Sequence, residues 1–316
     1  MDEKELNVAA SCPVCGALAW RPWAVVRGFA ILECAGCGFA QLAEEPESDY
    51  TERVYGDAYF SAGGAGYPGY EHLEPALRRT GRWYGRLLRQ YGPAGWVLDI
   101  GSAAGFLLQG LQEVGWRGVG LEPNGRMCAF ARERLGLEVR QGAIEAFEPD
   151  RLYDAVLWVQ VIGHVRDLEA ALERARAATR RGGLWLIETW NRSSWQARLW
   201  GSRWHHYAPP SVRRWFDPRT LSALLRRWDF ELLRVGRPPK RTVGRHLRAL
   251  LEHHSARWPL RGFWRALGRL LPERLVIPYP GRDVFYALFR RFACGWGFEV
   301  CLQNLAVEWA SIAVVL

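Results

Sequence analysis

The sequence predicts an α/β fold, a doubly wound and mostly parallel sheet with helices on both faces, preceded by a small cysteine-rich ribbon. Two observations carry this reading. From Trp96 onward short apolar strands alternate with helical segments, the pattern of strand–helix–strand units that bury a parallel sheet on both sides. Ahead of them, Cys12-Pro13-Val14-Cys15-Gly16 and Cys34-Ala35-Gly36-Cys37-Gly38 form two Cys-x-x-Cys-Gly turns separated by 18 residues.

Taken in order, a helix spans Pro75 to Gln90, and Trp96–Ile100 is the first apolar strand. Phe106–Val114 is helical, Gly118–Leu121 is a strand ending in Glu122, and Arg126–Leu135 is helical. Leu137–Arg140, Ala155–Val161 and Leu184–Ile187 are further strands, with the helix Leu168–Ala178 before the last. Between Tyr55 and Tyr70 a Gly/Tyr-rich stretch reads as a loop of the kind that closes over ligands. The chain therefore divides into a ribbon (1–44), a linker, lid and helix (45–95), and a main domain (96–292) with an insertion near 191–216 and basic helices at 241–271. A C-terminal tail of unassigned role (293–316) follows.

Two residues between thiolates let both sulfurs of a turn face one ion, and the glycine after them permits the tight backbone. Cys12, Cys15, Cys34 and Cys37 together complete a tetrahedral shell, the set expected of structural Zn2+, with iron as the alternative. Four ligands leave no open position, so such a site is structural.

The 316 residues are 49% hydrophobic and 24% charged, the composition of an ordinary globular protein, long enough for one large domain plus a small appendage. Met1-Asp2-Glu3-Lys4-Glu5 is acidic and precedes no apolar run, so no signal peptide is read there and a soluble, cytoplasmic protein is expected. The apolar stretch Phe292–Leu316 is interrupted by Glu299, Gln303, Asn304 and Glu308, which argues against a membrane span. The net charge of +9 is regional: Arg203 to Arg291 holds 20 basic and 6 acidic residues. Such a patch suits a nucleotide-linked substrate, RNA or peripheral contact with an anionic membrane. Against a selected partner, 40 of the 42 basic residues are Arg, a compositional bias, and no RNA-reading motif is present.

The loop after the first strand, Asp99-Ile100-Gly101-Ser102-Ala103-Ala104-Gly105, separates two nucleotide readings. A dinucleotide fold asks for Gly-x-Gly-x-x-Gly around a pyrophosphate. Here Ala103 and Phe106 occupy the later glycine positions, and Asp99 sets a carboxylate where phosphates would sit. S-adenosylmethionine carries no phosphate and is cationic, so the same carboxylate favours it. Glu122, ending the second strand, stands where an acidic residue accepts the ribose hydroxyls.

Residues from about Asp57 to Arg291 resemble the class I S-adenosylmethionine-dependent methyltransferases, nearest to a bacterial branch with a four-cysteine ribbon that is associated with saccharide, lipid or natural-product tailoring. The resemblance rests on the loop above, on Gly120-Leu121-Glu122-Pro123, Val161-Ile162-Gly163-His164-Val165-Arg166-Asp167 and Arg181-Gly182-Gly183-Leu184-Trp185-Leu186, and then on Trp204-His205-His206-Tyr207-Ala208-Pro209-Pro210 and Trp215-Phe216-Asp217-Pro218. It implies a seven-stranded sheet whose last strand, Val284 to Arg290, runs antiparallel. It also implies a cofactor site at Asp99, Gly101, Ser102, Gly105, Glu122, Pro123, Ala143 and Gln160, and a small-molecule acceptor. His164, after the fourth strand, becomes the candidate general base, and Tyr207, His206 and His205 the candidate acceptor contacts. Trp190, Trp195, Trp200 and Trp204 are candidates for an aromatic platform. Departures bear on the same places: relatives carry acids at the positions of Gln160, Gly163 and Ala143, and often a histidine where this chain has Val212.

Overall fold

The computed structural model describes residues 11–44, 73–243, 276–279 and 281–293. The proposed lid, the basic helices beyond Val243 and the tail beyond Ala293 lie outside the described residues.

A seven-stranded sheet forms the centre. Its strands are β4 (Trp96–Ile100), β5 (Arg117–Glu122), β6 (Glu138–Gln141), β7 (Tyr153–Val159), β8 (Thr179–Trp190), β10 (Phe230–Gly236) and β13 (Val284–Arg291). They lie in the order β10-β13-β8-β7-β4-β5-β6. The neighbouring pairs from β8 to β6 are parallel, and β13 runs antiparallel to both β8 and β10. The expected seven strands and reversed last strand are therefore present.

Two-residue periodicity explains why the sheet is buried on both faces. On β7, Val156 and Trp158 join one core while Ala155 and Leu157 join the other, and on β8 Trp185 and Ile187 alternate in the same way with Leu184 and Leu186. Helices α1 (Glu74–Leu88), α2 (Phe106–Gln112) and α3 (Gly125–Leu135) cover one face. Helix α4 (Leu168–Ala178) and helix α6 (Pro218–Arg226) cover the other, and a short helix, α5 (Trp195–Trp200), lies in the insertion. Caps set the entries: Asn124 accepts from Met127 N–H, Asp167 from Ala170 N–H, and Asp217 and Thr220 form a reciprocal capping box. Among the described residues no helix is long and apolar enough to cross a membrane.

The ribbon contributes β1 (Trp20–Val26), β2 (Phe29–Cys34) and β3 (Ala40–Leu42). Its fourth strand is β9 (Arg214–Trp215), which comes from the insertion, with Ala40 opposite Trp215 and Gln41 opposite Arg214. The ribbon and the insertion thus share one sheet, and their side chains share cores: Phe39 packs on Phe216 and Trp23 on Tyr207. Arg192, nearly buried, locks the joint by donating to Gly38 O and to Glu33 Oε2. Only the start of the expected basic helices is described, and there Arg241–Val243 is a strand, β11, paired with β12 (Val276–Pro278). Ladder pairing overrides the helical spacing at that point.

Arg192→Met keeps the length of the side chain but leaves Gly38 O without its side-chain donor and Glu33 with Arg21 alone among the described residues. Removing one partner of a largely buried charged pair should lower unfolding free energy by about 2–4 kcal/mol, read as a fall in the urea midpoint.

Candidate active site

Parallel strands deliver their C-terminal ends to one edge, and the chemistry collects there. Gly101 turns the chain out of β4 with φ +69°, and its N–H and that of Ser102 both donate to Leu121 O, at 2.7 and 3.1 Å. A Cβ on Gly101 would stand 2.5 Å from Val161 Cγ2, so only glycine fits between the turn and the loop after β7. Gly105 closes the loop as the residue before α2, its N–H donating to Ser102 O at 2.9 Å.

Glu122 is 4% exposed and holds this loop from the neighbouring strand: Oε2 accepts Ala103 N–H at 2.8 Å and Oε1 accepts Asn124 N–H at 2.9 Å. The residue expected to accept the ribose hydroxyls at the strand tip is thus one whose carboxylate braces the backbone of the loop. Each oxygen keeps a further lone pair. Pro123 and Ala143 flank it on the surface, and Gly142 N–H donates to Glu122 O at 3.0 Å. Asp99 is 2% exposed, and its Oδ2 and the Ser102 hydroxyl are both buried without a hydrogen-bond partner among the described residues. Burial, followed by the Glu122 charge, pushes the Asp99 carboxyl up to about 8. Orphaned polar atoms of this kind fit a cationic nucleotide ligand, which supplies the missing donors and the missing charge.

Across β4 the loop after β7 carries the other candidates. Gln160 has φ +61° and donates from Nε2 to Glu188 Oε1 at 2.8 Å, so its side chain points along the edge to β8. Glu188, which the sequence reading missed, is 1% exposed and also takes Tyr84 O–H at 2.5 Å and Lys240 Nζ at 3.0 Å. A charge at the end of the apolar run Leu184–Ile187 was its one visible signal. At Gly163 a Cβ would meet Arg214 O at 2.9 Å, because β9 packs against it and Arg213 N–H donates to Gly163 O at 2.8 Å.

His164 donates from Nδ1 to Ser211 O at 2.8 Å, since a carbonyl can only accept. Burial, offset in part by that carbonyl, pushes its pKa down to about 4. Trp190 touches both candidate histidines, edge-on to His164 at 5.2 Å and stacked on His206 at 4.9 Å between ring centroids. Tyr207 does not join them. It is buried among Trp23, Trp204 and Trp215, with Arg192 Nε 3.4 Å from its hydroxyl, and serves the joint between ribbon and insertion. The four tryptophans do not form one platform either: Trp204 is core and Trp195 lies on the surface.

The four ribbon cysteines bring their sulfurs within 4.8 Å of one another, with Cys12 to Cys37 at 3.6 Å and Cys15 to Cys34 at 3.5 Å. Zn–S bonds of about 2.3 Å in a tetrahedron place sulfurs roughly 3.8 Å apart, so the donor set fits one such ion. Burial pushes the Cys12 thiol up to about 11, and a bound cation is the natural source of the charge that deprotonates it.

Asp99 gives a test with two signs. Its carboxyl ionises higher in the folded chain than in the unfolded one, so the stability it contributes is fully present below about pH 4 and is lost as pH rises toward 8. Asp99→Asn should therefore melt above wild type at pH 8 without ligand, with the advantage vanishing near pH 4. On the expectation that Asp99 lines the cofactor site, the same variant should bind S-adenosylhomocysteine about 10- to 100-fold more weakly. Thermal melts and calorimetry read the two halves.

Comparison with known proteins agrees with this geometry. A family model described as a methyltransferase domain matches residues 71–235. A ubiquinone biosynthesis O-methyltransferase of Rhodopseudomonas palustris (strain BisB18) is 30% identical over 138 residues, 42% of this chain and 50% of that protein. A protein of the same description from a Bradyrhizobium species is 33% identical over 102 residues, 31% of this chain and 40% of its own length. The chain thus spans about half or less of the length of these relatives. Among solved structures, the Burkholderia thailandensis 1,6-didemethyltoxoflavin-N1-methyltransferase with bound 1,6-didemethyltoxoflavin and S-adenosylhomocysteine aligns with a TM-score of 0.50 at 15% identity, covering 86% of this chain and 99% of that one. With its sheet order, its glycine loop and a family match over more than half of its length, the chain belongs to the methyltransferase-domain family.

Proposed function

We propose that this chain transfers a methyl group from S-adenosylmethionine to a small-molecule acceptor of the saccharide, lipid-linked or natural-product type, and that its four-cysteine cluster holds a structural zinc ion. The observation that carries the reading is the pairing of an unpartnered, buried Asp99 with a Glu122 already fixed by two backbone amides at the end of β5. When bound, S-adenosylmethionine supplies an electrophilic methyl group on a cationic sulfur. The protein's part is to hold: Glu122 takes the ribose hydroxyls, Asp99 answers the positive charge, and Gly101 lets the backbone approach. Displacement of this kind gains chiefly from near-attack positioning.

His164 acts here as a positioning residue. A base whose conjugate acid ionises near 4 removes protons weakly at neutral pH, whereas a neutral ring with Nδ1–H anchored on Ser211 O presents its other nitrogen as an acceptor. His164→Asn keeps an N–H for Ser211. Because the folded pKa lies below the unfolded value, wild-type stability is fully present above about pH 6.5 and is lost as pH falls toward 4. The variant should show a shallower loss over that window in pH-dependent melts.

Glu122→Gln sets an amide N–H2 against one of two backbone donors. It should weaken S-adenosylhomocysteine binding by roughly 10- to 100-fold and cost about 1–3 kcal/mol of stability. Cys12→Ser should release zinc while leaving that affinity within a few-fold. Calorimetry and metal analysis on the two proteins check this; unchanged affinity in Glu122→Gln would falsify the cofactor assignment.

A further inference from the structure

We propose that His205, His206 and Asp283 form a second metal site, one that binds a single divalent transition-metal ion at the acceptor end of the sheet edge. The argument begins with a turn. Tyr207 N–H donates to Trp204 O at 2.9 Å, which makes His205 and His206 the two central residues of a reversal. Neighbouring residues of a strand would point to opposite sides, but this turn brings the two rings to 3.9 Å between centroids, at 42°. The turn is anchored from β9, where Trp215 Nε1–H donates to His206 O at 2.8 Å.

The third ligand comes from elsewhere in the chain. Asp283 immediately precedes β13, and because β13 is antiparallel its first residue, Val284, lies opposite Trp190 at the end of β8. Asp283 therefore reaches the same edge as Asp99, Glu122 and Glu188. One ligand atom from each of His205, His206 and Asp283 lies within 4.8 Å of the others. His206 Nε2 stands 3.7 Å from Asp283 Oδ2, too far for a hydrogen bond, and it is buried without a hydrogen-bond partner among the described residues. A gap of this size between a nitrogen lone pair and a carboxylate oxygen suits an ion between them at bond lengths near 2.0–2.2 Å.

The surroundings of Asp283 match a metal ligand. It is 1% exposed, and among the described residues it forms no ion pair with Lys or Arg. Trp204 Nε1–H donates to Oδ2 at 3.0 Å and Tyr279 O–H to Oδ1 at 2.9 Å. These donors orient the carboxylate without cancelling its charge, as outer partners of metal ligands do. Trp190 stacks on His206 and fixes its ring plane. Lys240, the nearby cation, is engaged by Glu188 at 3.0 Å. Two imidazoles and one carboxylate suit zinc, iron, cobalt or nickel rather than magnesium or calcium. Three protein ligands leave a position open, unlike the ribbon shell. Resting on the methyl-transfer reading above, that open position would take an acceptor oxygen and lower its pKa, the task for which His164 is a weak base.

The test counts metal on the full chain after reconstitution with Co2+ or Zn2+. Wild type should hold two equivalents, His206→Ala and Asp283→Asn one, and Cys12→Ser should lose the ribbon equivalent only. In the cobalt form, sulfur charge-transfer absorption should persist in His206→Ala while the weaker ligand-field bands change. X-ray absorption of the zinc-loaded wild type needs no variant and should require nitrogen and oxygen neighbours in addition to sulfur. A single equivalent in wild type, a pure sulfur shell, or two equivalents that survive in His206→Ala would overturn the site and leave a plain His–Asp contact. Binding of S-adenosylhomocysteine, measured on the same samples, should stay within a few-fold throughout, so loss of the metal site and failure of the cofactor assignment read out separately.

Discussion

Four carboxylates are withdrawn from water along one edge of the central sheet, and the cost of that withdrawal organises the rest of the site. Asp99, Glu122, Glu188 and Asp283 are each nearly inaccessible, and an unpaired buried carboxylate costs several kcal/mol. The protein meets this cost differently at each position. Glu122 is satisfied by two backbone amides and Glu188 by a tyrosine, a glutamine and a lysine. Asp283 has neutral donors and a histidine just beyond bonding distance, and Asp99 Oδ2 has none. The less a buried acid is satisfied by its own chain, the more its free energy depends on a ligand. That ordering separates the two acids satisfied within the chain, Glu122 and Glu188, from Asp99 and Asp283.

The ribbon belongs to the same account. Its third strand pairs with β9, and β9 is held from the other side by the backbone of Gly163 in the loop after β7. A path of backbone hydrogen bonds therefore runs from the cysteine cluster through β3 and β9 to the strand edge. Arg192 closes it a second time, from the residues after β8 to Gly38 at the base of the second knuckle. The ribbon is thus tied to the loop after β7, whereas the glycine loop is braced from β5 by Glu122 and draws on other contacts.

Much of the central sheet was legible because its strands obey one rule. Fully buried strands read as short apolar runs, and Val156–Trp158 or Leu184–Ile187 cannot be mistaken for surface. The elements that were missed break that rule. β10 is an edge strand with Glu231, Leu232 and Arg234 facing water, and β8 begins five residues before its apolar run, at Thr179, with its pairing to β7 shifting register between Thr179 and Leu184, where Gly182 takes φ +73°. β9 is two residues long, and its partner lies some 170 residues earlier in the chain, a distance no local pattern reports. The same limit applies to the site. The glycine loop and Glu122 are contiguous with their strands and could be read in place. Asp283, Tyr84 and Lys240 reach the edge only through tertiary topology, and Tyr207, placed by its family segment at the acceptor wall, is claimed by packing against three tryptophans.

The departures from the family pattern follow from the same geometry. An acid at position 163 would need the space that the Arg214 carbonyl occupies, so recruiting β9 to the ribbon sheet and keeping that acid are mutually exclusive. Gln160 in place of an acid follows in turn. Its amide donates to Glu188 on the adjacent strand, whereas a second carboxylate there would place two like charges in one desolvated pocket. The buried charge next to Gln160 lies one strand along the edge, on Glu188 of β8, with Asp283 beyond it ahead of β13. The polar groups at this end of the sheet, Glu188 and Asp283 among them, are brought together by the sheet order and by no local sequence pattern.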